Sequence, residues 1–218
     1  MTRATLRTAV RLVAVPVLFA LASSLSAFQL VPMSAVIDAE ADSPTVVFTV
    51  NNTEAEPIAV QLRVTTRSIL PDGTEINNDA SDTLQVFPSQ LIVRPGNTQS
   101  VRVRWIGDGV PDRELPFRLV AEQLPINLER SEEDNSAVRF MLRYRATVYV
   151  RPPGTEPDIV VTDVTTTDEE DAVVVAVRND GTRHRAFTSG RMIVSAEGRE
   201  EALSLAELEP MPTVNVLP

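Results

Sequence analysis

A single histidine and two pairs of adjacent carboxylates are the residues of this sequence whose types could do acid–base chemistry. His184 stands between two arginines in a turn-like stretch, which is typical of a surface residue rather than a general base. Glu132-Glu133 and Glu169-Glu170 lie in loop-like stretches and are expected to be solubilising charge. A Ca²⁺ site is the alternative there, because oxygen ligands cluster. We predict no catalytic residue, no metal and no cofactor.

The basic chemistry of the sequence belongs entirely to arginine. All 20 basic residues are Arg, and 30 Asp and Glu residues give a net charge of -10. The absence of Lys excludes Schiff-base lysines and P-loop phosphate sites, and the acidic balance argues against nucleic acid as a partner. There is no Cys, so the fold has neither a disulfide nor a thiolate metal site.

The most strongly patterned stretch runs from Ala137 to Pro152. Its apolar side chains fall on one side of an extended chain, and arginines fill most of the other side. The stretch is about twice the usual strand length of ~5–6 residues. The alternation leaves two interpretations open: an ordinary long core strand, or a strand whose apolar face also serves a partner.

The first 27 residues have the order of a secretory signal. Three arginines precede the apolar run Leu12–Ala22, and a short region of small, mostly polar residues follows it. The apolar run is too short to cross a bilayer, which takes ~20 residues. We predict cleavage after Ala27, with Ala22 as the alternative, and export to the periplasm without membrane insertion.

The rest of the chain has the pattern of strands separated by turns. Phe28–Ile37 is an apolar run broken by Pro32, and runs such as Thr45–Val50, Ile58–Ile69 and Ser100–Ile106 are β-branched or alternating. Turn signals such as Pro71-Asp72-Gly73 lie between the runs. About seven strands over roughly 120 residues predict an antiparallel sandwich of immunoglobulin type. A jelly roll or another Greek-key barrel is the alternative.

The strand pattern restarts after Arg151–Gly154. Further strands are expected at Ile159–Val164, Ala172–Val177 and Arg191–Val194, with Leu203–Leu208 and Val214–Leu217 as candidates for two more. Because a complete sandwich needs about 100 residues, we expect the second unit to be incomplete. The predicted fold class is all-β, with two immunoglobulin-like antiparallel β-sandwich domains. The predicted parts are a signal peptide (1–27), an N-terminal domain (28–150), a linker (151–157) and an incomplete C-terminal domain (158–218).

Four segments match motifs of one known family: Asn51-Asn52, Phe87–Val103, Asp112–Pro125 and Ala137–Pro152. They resemble the end of the second strand, the middle, the penultimate strand and the last strand of the first domain in the periplasmic pilus chaperones. This is the PapD-like family of the chaperone–usher pathway. The resemblance implies two immunoglobulin-like domains set in an L.

The resemblance also implies what the long strand does. A pilus subunit is a sandwich that lacks one strand, and the chaperone inserts alternating side chains into the exposed groove before delivery to an outer-membrane usher. By position the inserted residues are Val138, Phe140 and Leu142, with Tyr144 as a fourth candidate. Free chaperones of this kind could self-associate to cover the strand. The alternative function is a secreted immunoglobulin-like adhesion or structural module.

Two positions depart from the family pattern. The family usually grips the subunit's C-terminal carboxylate with an Arg on its first strand and a Lys on the donor strand, but here the Lys position holds Thr147 and the Arg position falls near Ser34, which is not basic. We expect Arg145 or Arg118 to supply the charge instead, because a guanidinium holds a carboxylate with a two-pronged fork. The departures are typical of an outlying, archaic-type branch.

A further pair of charges is carried over from the family. Glu114 and Arg151 match the residues that help to fix the interdomain angle. The third member of that group, an acid late in the second domain, is expected beyond Pro218.

Overall fold

The computed structural model describes residues 28–125, 141–167, 172–187, 191–196, 199–204 and 214–218. Every regular element in these ranges is a strand, which confirms the all-β prediction. The strands up to Arg151 are β1 (Phe28–Val31), β2 (Ser34–Asp38), β3 (Thr45–Asn52), β4 (Ile58–Thr66), β5 (Ser68–Ile69), β6 (Glu75–Ile76), β7 (Leu84–Phe87), β8 (Gln90–Val93), β9 (Thr98–Trp105), β10 (Leu115–Leu124) and β11 (Arg143–Arg151). The later strands are β12 (Ile159–Thr167), β13 (Ala172–Asn179), β14 (Arg185–Phe187), β15 (Arg191–Ala196), β16 (Arg199–Ser204) and β17 (Val214–Val216).

Strands β1–β4 and β7–β11 form a sandwich of two sheets. One sheet has the order β1-β3-β9-β7, and the other has the order β2-β11-β10-β4-β8. The alternation in the sequence produces the core, as β9 illustrates. Val101, Val103 and Trp105 are buried between the sheets, whereas Arg102 and Arg104 are exposed. Removing such apolar surface from water contributes about 25 cal/mol per Å² and holds the two sheets together.

The first predicted strand is divided between the two sheets at Pro32. β1 pairs antiparallel with β3, whereas β2 pairs in parallel with β11 and matches Ser34 with Thr147. Pro32 has no backbone N–H to lose from a ladder, so a crossing between sheets is tolerated there. As a result, β11 has β2 as a neighbour only from Thr147 onwards.

The turn predicted at Pro71-Asp72-Gly73 closes a short hairpin of β5 and β6. Gly73 has φ +83°, a left-handed conformation that lacks steric cost only for glycine, and its N–H donates to the Leu70 carbonyl at 2.9 Å. The register places Ile69 opposite Glu75. The predicted run Ile58–Ile69 is therefore two strands, β4 and β5, and β6 is a strand that the sequence did not predict.

Asn52 fastens the end of β3 to the loop that follows it. Its side chain is buried, and Nδ2 donates to the carbonyls of Val93 (2.9 Å) and Glu56 (2.8 Å). Its Oδ1 accepts from the Glu54 N–H at 2.8 Å. Because a buried amide must be hydrogen-bonded, these contacts explain why Asn suits this position in the Asn51-Asn52 motif.

The later strands pair in three two-stranded sheets, β12-β13, β14-β17 and β15-β16. The runs predicted at Ile159, Ala172 and Arg191 are all strands, while β14 is an additional one. The strand predicted at Leu203–Leu208 overlaps β16 at Leu203–Ser204, and its remainder lies outside the described residues.

Candidate functional site

The described part of the predicted long strand has the expected two faces. Tyr144 is half-buried and packs on the core edge to face against Phe28, with ring centroids 4.8 Å apart. Leu142 also packs against the core. Val138 and Phe140 lie outside the described residues. The face of β11 turned away from the core carries Arg143, Arg145, Thr147, Tyr149 and Arg151.

The first part of β11 has an open edge. The Gln123 N–H donates to the Leu142 carbonyl at 3.0 Å, so by antiparallel alternation the backbone groups of Arg143 and Arg145 point away from β10. The Thr147 N–H, which also points away from β10, donates to Met33 at 2.9 Å. Within the part of the chain that the structure describes, no strand pairs with Arg143–Ala146 on that side.

Three guanidinium groups surround one carboxylate on the outer face of this sheet. The carboxylate of Glu75 on β6 accepts hydrogen bonds from all three. The donors are Nε of Arg67 at 3.0 Å, Nε and Nη2 of Arg118 at 3.0 and 2.5 Å, and Nη2 of Arg145 at 2.5 Å. We call these four residues the arginine cluster. Arg67 and Arg118 have only 6% and 16% of their side chains exposed, whereas Arg145 has 44% exposed.

The arginine cluster keeps Glu75 ionised. Hydrogen bonds from Arg118, followed by those from Arg67, lower the pKa of Glu75 from 4.5 to about 2, although partial burial acts in the opposite direction. The single carboxylate balances only one of the three guanidinium charges. The cluster therefore carries excess positive charge next to the open edge of β11.

The arginine cluster lies at the place where the resemblance expects basic residues. Ser34 on β2 and Thr147 on β11 are register partners, so side chains at these two positions are close enough to hold one carboxylate together. Arg118 on the adjacent strand donates from Nη1 to the Thr147 hydroxyl at 2.6 Å. Arg67 donates to the Tyr149 hydroxyl at 3.3 Å. The positive charge thus comes from the neighbouring strands rather than from position 147.

A second polar cluster surrounds the buried Glu114. Its side chain is fully buried, and its Oε2 accepts from Nε of Arg151 at 2.6 Å. Its Oε1 lies 3.1 Å from the His184 N–H and 2.5 Å from His184 Nδ1, while its own N–H donates to the Thr182 carbonyl at 2.9 Å. Burial raises the pKa of Glu114, but the hydrogen bonds from His184 and Arg151 outweigh burial and hold it below 4.5.

His184 corrects the sequence prediction. We expected a surface residue, yet only 17% of its side chain is exposed. Its ring stacks on Tyr149 with centroids 3.9 Å apart and planes 6° apart. The sequence pattern could not reveal this, because Tyr149 and Glu114 lie far from His184 in the chain. His184 therefore joins the segment before β14 to the outer face of the sandwich.

Sequence reasoning also missed Glu75 and Arg67 as members of a site. A usable signal was present, because the turn at Pro71-Asp72-Gly73 folds Glu75 back to the level of Ile69, two residues after Arg67. The paired carboxylates considered for Ca²⁺, Glu132-Glu133 and Glu169-Glu170, lie outside the described residues. Among the residues that are described, no group of three potential metal ligands occurs. The same residues contain no helix long and apolar enough to span a membrane.

Solved structures share this fold at low sequence identity. The class 5 fimbriae chaperone CfaA aligns with a TM-score of 0.59 and 13% identity over 88% of this chain and 82% of that chain. The CsuC-CsuE chaperone-tip adhesion subunit complex of the archaic Csu pili of Acinetobacter baumannii aligns with a TM-score of 0.57 and 15% identity over 82% of this chain and 98% of that chain. The Pseudomonas aeruginosa CupB2 chaperone aligns with a TM-score of 0.52 and 19% identity over 87% of this chain and 83% of that chain.

Sequence comparison assigns the family. No curated protein sequence matches the chain significantly. The family described as "Pili and flagellar-assembly chaperone, PapD N-terminal domain" matches residues 29–156, which is more than half of the chain and includes both polar clusters except His184 and Thr182. The chain therefore belongs to the PapD-type pilus-assembly chaperones, a family of proteins that are not enzymes.

Proposed function

We propose that this chaperone acts in the periplasm, binds a pilus subunit along β11 by donor-strand complementation and delivers it to an outer-membrane usher. Family membership supports the general role. The open edge at Arg143–Ala146 is the observation that carries the specific mechanism. Residues 1–27 would direct export and then be removed.

The open edge and the apolar face serve different parts of the contact. Unpaired N–H and C=O groups of an edge strand can accept an added strand, which gives affinity without sequence specificity. Side chains on alternate positions then fill pockets of the partner. Tyr144 packs on Phe28 of the chaperone's own core and Leu142 also contacts that core, so we expect the inserted stretch to begin at Leu142 and to extend to Phe140 and Val138.

The charged groups complete the proposal. Arg145 and Arg118 would hold the C-terminal carboxylate of the subunit, since both belong to a cluster with excess positive charge beside the open edge. Glu114 and Arg151 would help to fix the angle between two immunoglobulin-like domains. Their ion pair is supported by the Glu114 N–H, which donates to the Thr182 carbonyl, and by the His184 N–H, which donates to Glu114 Oε1.

Co-purification from the periplasm with a candidate pilus subunit, sought among the products of neighbouring genes, tests the proposal. The variant carries Phe140→Arg and Leu142→Arg. The control carries Val47→Arg and Ile92→Arg, because these side chains are 48% and 64% exposed and lie away from β11. We expect a one-to-one complex with the wild type and the control and none with the folded variant.

Two other outcomes would change the conclusion. If the wild type binds no subunit, the long strand is ordinary core and a structural module becomes the better interpretation. If the variant still binds, the chaperone contacts its subunit through another surface.

A further inference from the structure

We propose that Glu75 is an internal substitute for a carboxylate of the partner. In the free chain it fills a carboxylate-binding site made by Arg67, Arg118 and Arg145, and the C-terminal carboxylate of a bound strand replaces it. The identity of the partner rests on the proposed function. The existence of the site rests on the contacts described here.

The geometry around Glu75 is that of a complete carboxylate receptor. Arg118 donates to both oxygens, from Nε to Oε1 and from Nη2 to Oε2. Arg145 adds a second donor to Oε1, and Arg67 adds a second donor to Oε2. A carboxylate accepts about four hydrogen bonds, so all of its acceptor sites are used. None of these donors recognises any part of Glu75 other than its carboxylate group.

The charge balance requires an anion in this site at all times. Three guanidiniums converge, and two of them, Arg67 and Arg118, are mostly withdrawn from water. Among the described residues, no other carboxylate forms an ion pair with any of the three. Uncompensated partly buried charges are strongly unfavourable. Glu75 supplies the anion when no partner is present.

The position of the site matches the end of an added strand. β2 occupies the edge of β11 from Ser34 onwards, so a strand that pairs with Arg143–Ala146 must stop level with Ser34. That stop lies beside Arg145 and beside Thr147, which Arg118 contacts at 2.6 Å. A strand running antiparallel to β11 would bring an amino terminus there, which the arginines repel. A strand running parallel brings its carboxylate.

Glu75 is able to leave the site without disturbing the sandwich. It lies on β6, which has two residues and, among the described strands, pairs only with β5. Its side chain retains 18% exposure, so solvent reaches the carboxylate. Rotation about its side-chain torsions would release the carboxylate while the five-stranded sheet stays intact.

Chemical rescue of the free protein tests the site. In Glu75→Ala the carboxylate is removed, and we measure Tm in 100 mM sodium acetate and in 100 mM sodium chloride. We expect a lower Tm than that of the wild type and a rise of about 3–6 °C in acetate relative to chloride, for binding in the 10 mM range. The wild type and the control Glu122→Ala, which loses an exposed pair with Arg143, should show no such difference.

An equal response to acetate and chloride in Glu75→Ala would overturn the proposal. If that variant does not fold, Glu75→Ser, which also removes the carboxylate and leaves its place empty, is tested under the same criterion. The subunit provides a second readout, because removing the internal competitor should slow dissociation of the complex several-fold and acetate should reverse the gain. Unchanged dissociation in the variant would refute replacement of Glu75. Failure of every variant to bind the subunit would refute the proposed function instead, since the acetate experiment needs no subunit.

Discussion

Glu75 and Glu114 are two carboxylates on one sandwich with lowered pKa values and cationic neighbours, yet their surroundings differ. Glu75 keeps 18% exposure and meets three guanidiniums, of which Arg145 is largely open to water. Glu114 has no exposure and meets one guanidinium, one imidazole and one backbone N–H. The cluster around Glu75 has excess positive charge that can attract an anion of a partner. The carboxylate oxygens of Glu114 are both paired with residues of the same chain.

This difference shows how the same side chain can serve recognition or architecture. A partly exposed cluster with unbalanced charge can exchange its anion for another one. A fully buried carboxylate such as that of Glu114 has no route for exchange, and its contacts join the sandwich to the segment around His184. Substitutions at the two sites test this division, and the one with the largest expected effect is at Glu114.

Glu114→Ala should give the largest loss of stability. It leaves Arg151 and His184 without their shared carboxylate at a buried site, and breaking a buried pair costs about 3–5 kcal/mol. Urea unfolding followed by tryptophan fluorescence measures the loss, because the single Trp105 lies in the sandwich core. A loss no larger than that of Glu75→Ala would contradict the division between the two sites.

Glu75→Gln should reduce stability by about 3 kcal/mol at pH 7, since the pKa of Glu75 falls from 4.5 to about 2 and one pKa unit corresponds to about 1.4 kcal/mol. The folded pKa of about 2 lies below the unfolded value of 4.5, so the Glu75 contribution is fully present above pH 4.5. It is lost as the pH falls from 4.5 to about 2. The stability difference between wild type and variant should therefore shrink over that window. A difference that is constant with pH would show that the charge of Glu75 is not the cause.

His184→Ala should have a smaller effect, about 1–2 kcal/mol, because it removes one ring stack and one hydrogen bond while Arg151 still pairs with Glu114. We expect faster exchange of the backbone amides of Glu156 and Thr182, which are hydrogen-bonded to each other's residue, and unchanged exchange in β9. Uniform acceleration in both regions would mean that His184 stabilises the sandwich itself rather than its link to the later strands.

Arg143→Ala should leave stability unchanged. Arg143 and Glu122 form an ion pair with side chains that are 55% and 34% exposed, and water screens such pairs effectively. Thermal unfolding of this variant beside Arg145→Ala separates simple surface charge from the arginine cluster. Equal losses of thermal stability in the two variants would show that Arg145 in the arginine cluster stabilises the fold no more than a simple surface charge.

Local patterns in the sequence were sufficient for the fold of the sandwich. The alternation in Ser100–Ile106 and the turn at Pro71-Asp72-Gly73 each specify a geometry within a few residues. The division of the first strand at Pro32 was visible only as a break, because the choice of sheet depends on β11, more than 100 residues later.

The site was only partly predictable for the same reason. Arg118 and Arg145 followed from their strands, since alternation places them on the outer face near Thr147. Glu75 and His184 depend on which distant residues meet across the sheet, and no periodicity encodes that. Charges that look like ordinary surface residues in the sequence become a cluster only when β4, β10 and β11 lie side by side.

The most direct test of strand donation is amide hydrogen exchange of β11, resolved by NMR, with and without the subunit. The N–H groups of Arg143 and Arg145 point to the open edge, whereas those of Tyr144 and Ala146 point to β10. We predict that binding strongly protects Arg143 and Arg145 and leaves Tyr144 and Ala146 nearly unchanged. Unchanged exchange at Arg143 and Arg145 in a stable complex would contradict strand addition at this edge.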